Sequence, residues 1–405
     1  MCQPDYLKGA FILDIIKEVK NIEQEIINWR RDLHQIPEIG LELPKTAKYV
    51  AERLDEMGVE YHTLINGNAI VGIIKGTGEG RTIGLRADMD GLPIKEETGL
   101  SFASTNNSMH ACGHDAHTAI LLGAAKVLNK NRDKFKGNVK LLFQPGEEYP
   151  GGAKPMIDEG ALENPKVHAI MGLHVGSISN GIPKGNIGVC YSNLMAAADI
   201  IKIKVKGIGA HGAYPELSVD PIVVASELVM SLQTIISRET KAVDPAVLSI
   251  CKIQGGSNHN IIPDYVELEG TVRTLNNETR NKIAKRIEQI TKGITEAHGA
   301  TYEYVYDFKY PPLINNSDFT ADFVESAKKI IPKEEITEIK VPIMGGEDMA
   351  YFLEEIPGTF FFLTNLKAVD GVYYGHHNSK FDIDEQLFWK GSSLLVQGVL
   401  DYLNK

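Results

Sequence analysis

Three short apolar runs in the first half of this chain end abruptly in groups that can carry charge. Thr82–Ala87 runs into Asp88, Val139–Phe143 into Gln144-Pro145-Gly146-Glu147-Glu148, and Ala169–Leu173 into His174. Their length and β-branched content make them buried strands. Helical periods lie before and between them. Residues 14–36 repeat Ile15, Ile16, Val19, Ile22, Ile26, Trp29 and Leu33 at helical spacing and stop at Pro37. His34 near that end reads as a packed or capping histidine. Pro44 opens a second helix, buried along Ala47, Val50, Leu54 and Met57 and closed by Gly58. Strands alternating with helices imply a largely parallel sheet, whose strand ends gather such polar groups on one edge.

A polar block lies between the first two of these strands. His110-Ala111-Cys112-Gly113-His114-Asp115-Ala116-His117 holds three histidines, a cysteine and an aspartate, and the apolar helical run Ala119–Leu128 follows. On an extended backbone Cys112 and His114 point to the same side. A thiol and an imidazole side by side are a natural start for a transition-metal site, whose other ligands must come from elsewhere. Taken singly, the other polar ends decide little. Asp88 and Asp90 suit a turn as well as a site. Glu147 and Glu148 suit a solvated loop, although adjacent carboxylates in one pocket call for a cation.

From about residue 197 the pattern changes. The order is a strand with Ile201, Ile203 and Val205 alternating, a helix over 220–237, strands over 247–254 and 266–275, a helix over 277–298 and a strand over 301–310. That is the β-α-β-β-α-β order of a ferredoxin-like unit. Alternating α/β character returns near residue 318, and the tail carries Tyr374-Gly375-His376-His377-Asn378-Ser379-Lys380-Phe381. The expected architecture is α/β: a mixed, mostly parallel sheet flanked by helices, over 1–196 and 310–405, with an inserted ferredoxin-like α+β domain over 197–309.

The length of 405 residues fits two domains. A net charge of −11 speaks against a general binder of nucleic acid or anionic membranes. No apolar stretch approaches a membrane span, and the run Ala10–Leu13 is cut by Asp14, unlike a signal peptide. The four cysteines, Cys2, Cys112, Cys190 and Cys251, are scattered and form no C-x-x-C. A reducing, cytoplasmic setting is expected.

Taken in order, these blocks resemble the metal-dependent amidohydrolases and exopeptidases that include aminoacylases, hippurate hydrolases and the plant indole-acetyl-amino-acid hydrolases. The resemblance runs from Arg31-Asp32-Leu33-His34 and Pro37-Glu38-Ile39-Gly40 to Asp382-Ile383-Asp384-Glu385, with Met109–His117 as its most specific block. It implies hydrolysis of the amide bond of N-acyl-L-amino acids. It implies two divalent metal ions per subunit, zinc first, with manganese, cobalt or nickel admitted. The implied ligands are Cys112, His114, Glu148, His174 and His377, with Glu147 as general base. His377 is chosen over His376 for its four-residue step to Phe381. Arg86-Ala87-Asp88 stands where other branches have His-x-Asp. The resemblance then implies that Cys112 substitutes for that histidine as a bridging or terminal ligand, and that Asp88 orients a ligand histidine.

In the inserted domain the resemblance implies that His211, Asn260 and Arg273 bind substrate, His211 also serving catalysis across a homodimer. The partner is a small N-acyl amino acid or short peptide. A carboxypeptidase or dipeptidase on the same scaffold is the nearest alternative. A non-catalytic metal- or peptide-binding protein is the more distant one.

Overall fold

The computed structural model describes residues 15–405. Cys2 and the run Ala10–Leu13 lie outside them. The chain separates into two compact units: one runs up to Ser192 and adds Ile314–Val341 and Tyr351–Lys405, and the other comprises Asn193–Leu313 and Pro342–Ala350.

The first unit is built on an eight-stranded mixed sheet. Its strands are β1 (Glu60–Leu64), β2 (Ala69–Lys75), β3 (Thr82–Asp88), β4 (Asn138–Gln144), β5 (Ala169–Gly176), β6 (Ile187–Val189), β7 (Ile336–Glu338) and β8 (Gly358–Thr364). They lie in the order β1-β2-β4-β3-β5-β8-β6-β7. The central strands β4, β3, β5 and β8 are mutually parallel. β3 and β5 are buried along their whole length, so they read as continuous apolar runs and not as alternating ones.

Helices α1 (Glu23–His34), α2 (Pro44–Met57), α3 (His114–Lys130), α4 (Ser317–Ala327) and α5 (Phe388–Leu403) flank the sheet. The expected single helix over 14–36 is interrupted at Ile22, whose backbone leaves the helical region (φ −112°, ψ 10°), so residues 15–21 form a separate turn of helix. Gly58 closes α2 in the left-handed conformation, as its position predicts. The helix after the His110–His117 block is α3, buried on nearly all sides and packed between α1 and α5. Gly113 precedes it at φ +89°, and a Cβ there would stand 2.7 Å from Val175 Cγ2. Only glycine lets the block turn into the helix this close to β5.

Buried charge holds the first turn of α3 to α1. Asp115 Oδ2 accepts from Arg30 Nε at 2.8 Å and from His34 Nδ1 at 2.7 Å. His34 Nε2 lies 3.2 Å from Glu96 Oε1, and Arg30 and Arg31 both reach Glu385. His34 is therefore buried between two carboxylates. Burial and Arg30 pull its pKa down, but Asp115 and Glu96 outweigh them and raise it.

The second unit has its own core around Ile201, Ile203, Leu228, Val266 and Ile283. Strands Ala197–Lys206, Ala246–Gly255, Tyr265–Thr274 and Thr301–Tyr310 form an antiparallel sheet. The strand Ala246–Gly255 is at one edge. Helices Pro221–Thr234 and Asn277–Ala297 pack on it. Asp220 and Asn276 cap them, accepting from Ile222 N and Thr279 N. The first helix passes into a π turn, Ile235–Glu239, so it runs slightly past its expected end. Asp199, fully buried, takes two bonds from Arg280 (2.9 and 2.6 Å) and one from Tyr306 Oη (2.8 Å).

Replacing Asp199 with Ala is expected to strand the Arg280 guanidinium and to cost roughly 3–5 kcal/mol, read by chemical denaturation. A loss below about 1 kcal/mol would show that the pair is dispensable. The contribution of His34 has a definite pH sign. Its folded pKa lies above the ordinary 6.5, so its stabilisation is complete below that value and fades as pH rises through the raised one. The stability gap between the parent chain and His34→Gln is expected to be widest near pH ~6 and to narrow in alkali. A gap independent of pH would mean a neutral imidazole.

Candidate metal centre

Parallel strands put their C-terminal ends on one edge, and the register aligns the polar groups there. Asp88 is level with Gln144, the last residue of β4 before the Glu147-Glu148 turn. Arg86 pairs with Gly172, so His174 follows two residues on, beside Asp88. The His110–His117 block and the tail segment around His377 reach the same edge.

Overlapping groups form there, among them Cys112, His114 and His174; Asp88, His114 and His117; Cys112, Glu148 and His377; and His114, Glu147 and Glu148. Within each group the candidate ligand atoms lie within 4.8 Å of one another. The five residues that the resemblance implied as ligands, and Glu147, are thus brought together.

Hydrogen bonds decide which ring nitrogens face the cluster. His174 Nδ1 donates to Val175 O at 2.7 Å, leaving Nε2, which is 3.4 Å from Cys112 Sγ. His117 is used up: Nδ1 donates to Asp88 Oδ1 at 2.5 Å, and Nε2 accepts from Val175 N at 2.9 Å. His114 Nδ1 faces Asp90 Oδ1 at 3.2 Å, leaving Nε2 directed at the cluster. Asp88 was expected to orient a ligand histidine. It binds His117 and, at 2.8 Å, Arg86, while His114 Nε2 stands 3.7 Å away. The carboxylate on His114 Nδ1 belongs to Asp90, which the sequence presents as one of two strand-end aspartates and nothing more. Its signal was the D-x-D spacing alone.

The adjacent histidines of the tail diverge. His376 is partly buried, its Nε2 3.0 Å from Val175 O, and burial lowers its pKa to about 4. Its ring fills the space beside Gly176, where a Cβ would collide at 2.2 Å. His377 takes φ +63°, a left-handed conformation uncommon outside glycine, and its N–H donates to Ala111 O at 2.9 Å. That turn directs its ring to Glu148, with Nε2 2.9 Å from Oε1.

The charges do not balance by themselves. Burial pushes the Cys112 thiol well up, and Glu148, Glu147 and Asp88 push it further. Burial opposes a charge on His114, yet Asp88 and Asp90 raise it to about 10. Two buried atoms, His114 Nε2 and Glu148 Oε1, lack an aligned hydrogen-bond partner. The close approach of His377 to Glu148 raises the pKa of His377 against the opposing effect of burial. A cation shared by these atoms would displace the proton on His114, stabilise a thiolate at Cys112 and satisfy Glu148. The donor set fits a divalent metal.

The remaining expected residues belong to the second unit. His211 lies in a two-residue strand, Ala210–His211, paired with Ile261–Ile262. It is exposed, and its Nδ1 accepts from Ala213 N at 3.1 Å. Asn260, also exposed, accepts from Gly212 N through its carbonyl at 2.8 Å. Arg273 is half-buried on the strand Tyr265–Thr274 and donates to Thr271 Oγ1 and Val272 O. No carboxylate pairs with it among the described residues, and burial lowers its pKa.

Comparisons with known proteins agree with this chemistry. An N-acetyl-L-cysteine deacetylase of Bacillus subtilis is 40% identical, over 94% of this chain and 88% of its own. The thermostable carboxypeptidase 1 of Saccharolobus solfataricus is 38% identical, over 97% of this chain and all of its own. A Bacillus subtilis crystal structure described as a dinuclear metal binding peptidase from the M20 family superposes with a TM-score of 0.81. It is 33% identical, over 95% of this chain and 99% of that one. Residues 84–400 match the family described as Peptidase family M20/M25/M40, and the chain belongs to that family.

Proposed function

We propose that this chain hydrolyses the amide bond of N-acyl-L-amino acids, releasing a carboxylate and a free amino acid. The observation that carries the reading is the buried cluster in which Glu147 lies with Glu148 and His114, beside Cys112, His174 and His377. Cys112, His114, Glu148, His174 and His377 would hold two divalent ions. Thiolate with imidazole favours zinc, and the carboxylate admits manganese, cobalt or nickel. When bound, such ions lower the pKa of water to roughly 7 and polarise the amide carbonyl.

Glu147 takes the proton from the attacking water and delivers it to the departing nitrogen as the C–N bond breaks. The water oxygen ends in the carboxylate product. His211 and Asn260 donate to the oxyanion, a role in which one donor is worth roughly 3 kcal/mol. Arg273 offers a planar fork to the substrate carboxylate. Its lack of a carboxylate partner in the described chain supports that role.

The unit around 197–309 serves as lid and dimer surface. In support, its edge strand Ala246–Gly255 leaves Ile253 exposed, and its first helix leaves Ile222, Val223 and Met230 exposed, Met230 by 72%. The setting we propose is cytoplasmic. No helix of the described residues is long and apolar enough to cross a membrane.

A carboxypeptidase or dipeptidase is the second reading, favoured by the relative named carboxypeptidase. The bond cut is an amide in either case, and only the acyl side differs. Assays with N-acetyl, N-benzoyl and dipeptide substrates separate the two: higher kcat/KM on the simple N-acyl substrates is expected, and preference for dipeptides would overturn it.

Glu147→Gln is expected to keep its bound metal and lose about 10²–10⁴-fold in kcat. Near-normal turnover would remove Glu147 as base. Mixed dimers of His211→Ala and Glu147→Gln subunits are expected to regain activity, since one site of the pair would draw intact residues from both chains. Confirmed mixed dimers without regain would place His211 in its own subunit's site.

A further inference from the structure

The strand Tyr265–Thr274 sends its side chains alternately to two faces of the second unit's sheet. Val266, Leu268 and Val272 lie in the core beneath the helices. Glu267, Glu269, Thr271 and Arg273 lie on the other face. There Glu267 pairs with Lys204 and Glu269 with Lys252, but no carboxylate pairs with Arg273 among the described residues. Its neighbours across the sheet are Val247 and Ala198, whose side chains carry no hydrogen-bonding group. The carboxylate of Asp199 is on the inner face, taken up by Arg280 and Tyr306.

One corner of the Arg273 guanidinium is spent inside its own strand. Nη1 donates to Thr271 Oγ1 and, at 3.1 Å, to Val272 O. The Thr271 hydroxyl is itself oriented: it donates to Asp199 O at 3.0 Å and so turns a lone pair to Arg273. Its β-branched side chain is stiff at χ1, which keeps the hydroxyl there. No hydrogen bond among the described residues uses Nε or Nη2 of Arg273. Those two atoms form the edge that carboxylates take elsewhere in this protein. Asp199 accepts from Arg280 Nε and Nη2 at 2.9 and 2.6 Å. Glu385 accepts from the same atoms of Arg31 at 3.1 and 2.6 Å, and Glu239 from those of Arg286 at 2.7 and 2.8 Å.

We infer that Thr271 is a positioning residue for substrate selection: its hydroxyl pins Arg273 by Nη1, so that the Nε–Nη2 edge meets the substrate carboxylate already aligned. The consequence is selectivity for N-acyl amino acids with a free α-carboxylate over their amides. A carboxylate matches two parallel donors, whereas a carboxamide sets an N–H group against one of them. The inference rests on the reading of Arg273 as the carboxylate site of an amidohydrolase. What it adds is the device that holds that site in place before substrate arrives.

Thr271→Val keeps the branched shape and removes the hydroxyl, and Thr271→Ser keeps the hydroxyl. In the zinc-loaded enzyme, KM for N-acetyl-L-leucine is expected to rise about 3–10-fold in Thr271→Val, the cost of ordering one long side chain on binding, with kcat little changed. Thr271→Ser is expected to restore a KM close to that of the parent. N-acetyl-L-leucinamide, which has no carboxylate, is expected to show the same KM in the parent and in Thr271→Val. In an Arg273→Met background Thr271→Val is expected to bring no further rise, because the group it positions is already gone. A merely structural role would lower the folded fraction and affect acid and amide alike.

An unchanged KM for the acid in Thr271→Val overturns the inference, as does an equal rise with the amide or in the Arg273→Met background. If Thr271→Val does not fold, Thr271→Ala replaces it, with the same outcomes expected and the same ones contrary. A parent that prefers the acid to the amide but is indifferent to Thr271 leaves Arg273 as the carboxylate site and sinks the Thr271 inference alone. A parent with equal KM for acid and amide sinks both. If the parent binds N-acetyl-L-leucine without cleaving it, the hydrolytic reading falls, and the same comparison is decided on Kd by calorimetry.

Discussion

Buried carboxylates and a thiol on one edge of a parallel sheet repel one another, and the first unit is arranged around that fact. Asp88, Asp90, Glu147 and Glu148 reach the edge with Cys112 among them. Asp88 is neutralised by Arg86 and bonded to His117, and Asp90 is spread over His114 and two amides. Burial opposes a charge on Glu148, but His377, His114 and Cys112 outweigh it, while burial and then its acidic neighbours drive the Cys112 thiol upward. The polypeptide satisfies the outer carboxylates and leaves the inner donors incomplete. That gradient, satisfied outside and unsatisfied within, is how a protein preorganises a site for a cation.

The scaffold that bears this strain is rigid for identifiable reasons. β3 and β5 are covered on both faces. α3 is enclosed by α1 and α5, and its first turn is tied to α1 through Asp115, Arg30 and His34. The tail reaches the cluster by one backbone bond, His377 N to Ala111 O, and holds the left-handed conformation that separates His377 from His376. Each piece of the centre arrives from a different part of the chain, and each is anchored within one or two residues of the atom that matters.

Much of this was legible from residue pattern. Apolar runs that end in Asp88, Glu147-Glu148 and His174 predict a parallel edge, because only parallel strands collect their ends. The family motifs then brought in Cys112, His114 and His377. Periodicity could not show what depends on pairing over long distances. Asp90 looks like any loop aspartate until Glu147 and Glu148, 57 and 58 residues on, are seen to donate to it. The division of labour between Asp88 and Asp90 was invisible for the same reason. It depends on which histidine of α3 each oxygen meets, and His114 and His117 are one helical turn apart. His34 looked like a packed or capping residue, and its two acidic partners come from residues 96 and 115. The break at Ile22 leaves no mark, since the apolar period continues across it. Nor does linear order reveal that Pro342–Ala350 groups with the second unit.

Metal content is the most direct test of the central claim that this edge is a dinuclear hydrolytic centre. Elemental analysis of the purified chain, before and after chelation and after reloading with zinc, should find close to two divalent ions per chain. Amide hydrolysis should disappear with them and return on reloading. A chain that holds no divalent ion and hydrolyses N-acyl amino acids equally well in the presence of chelator would contradict the account.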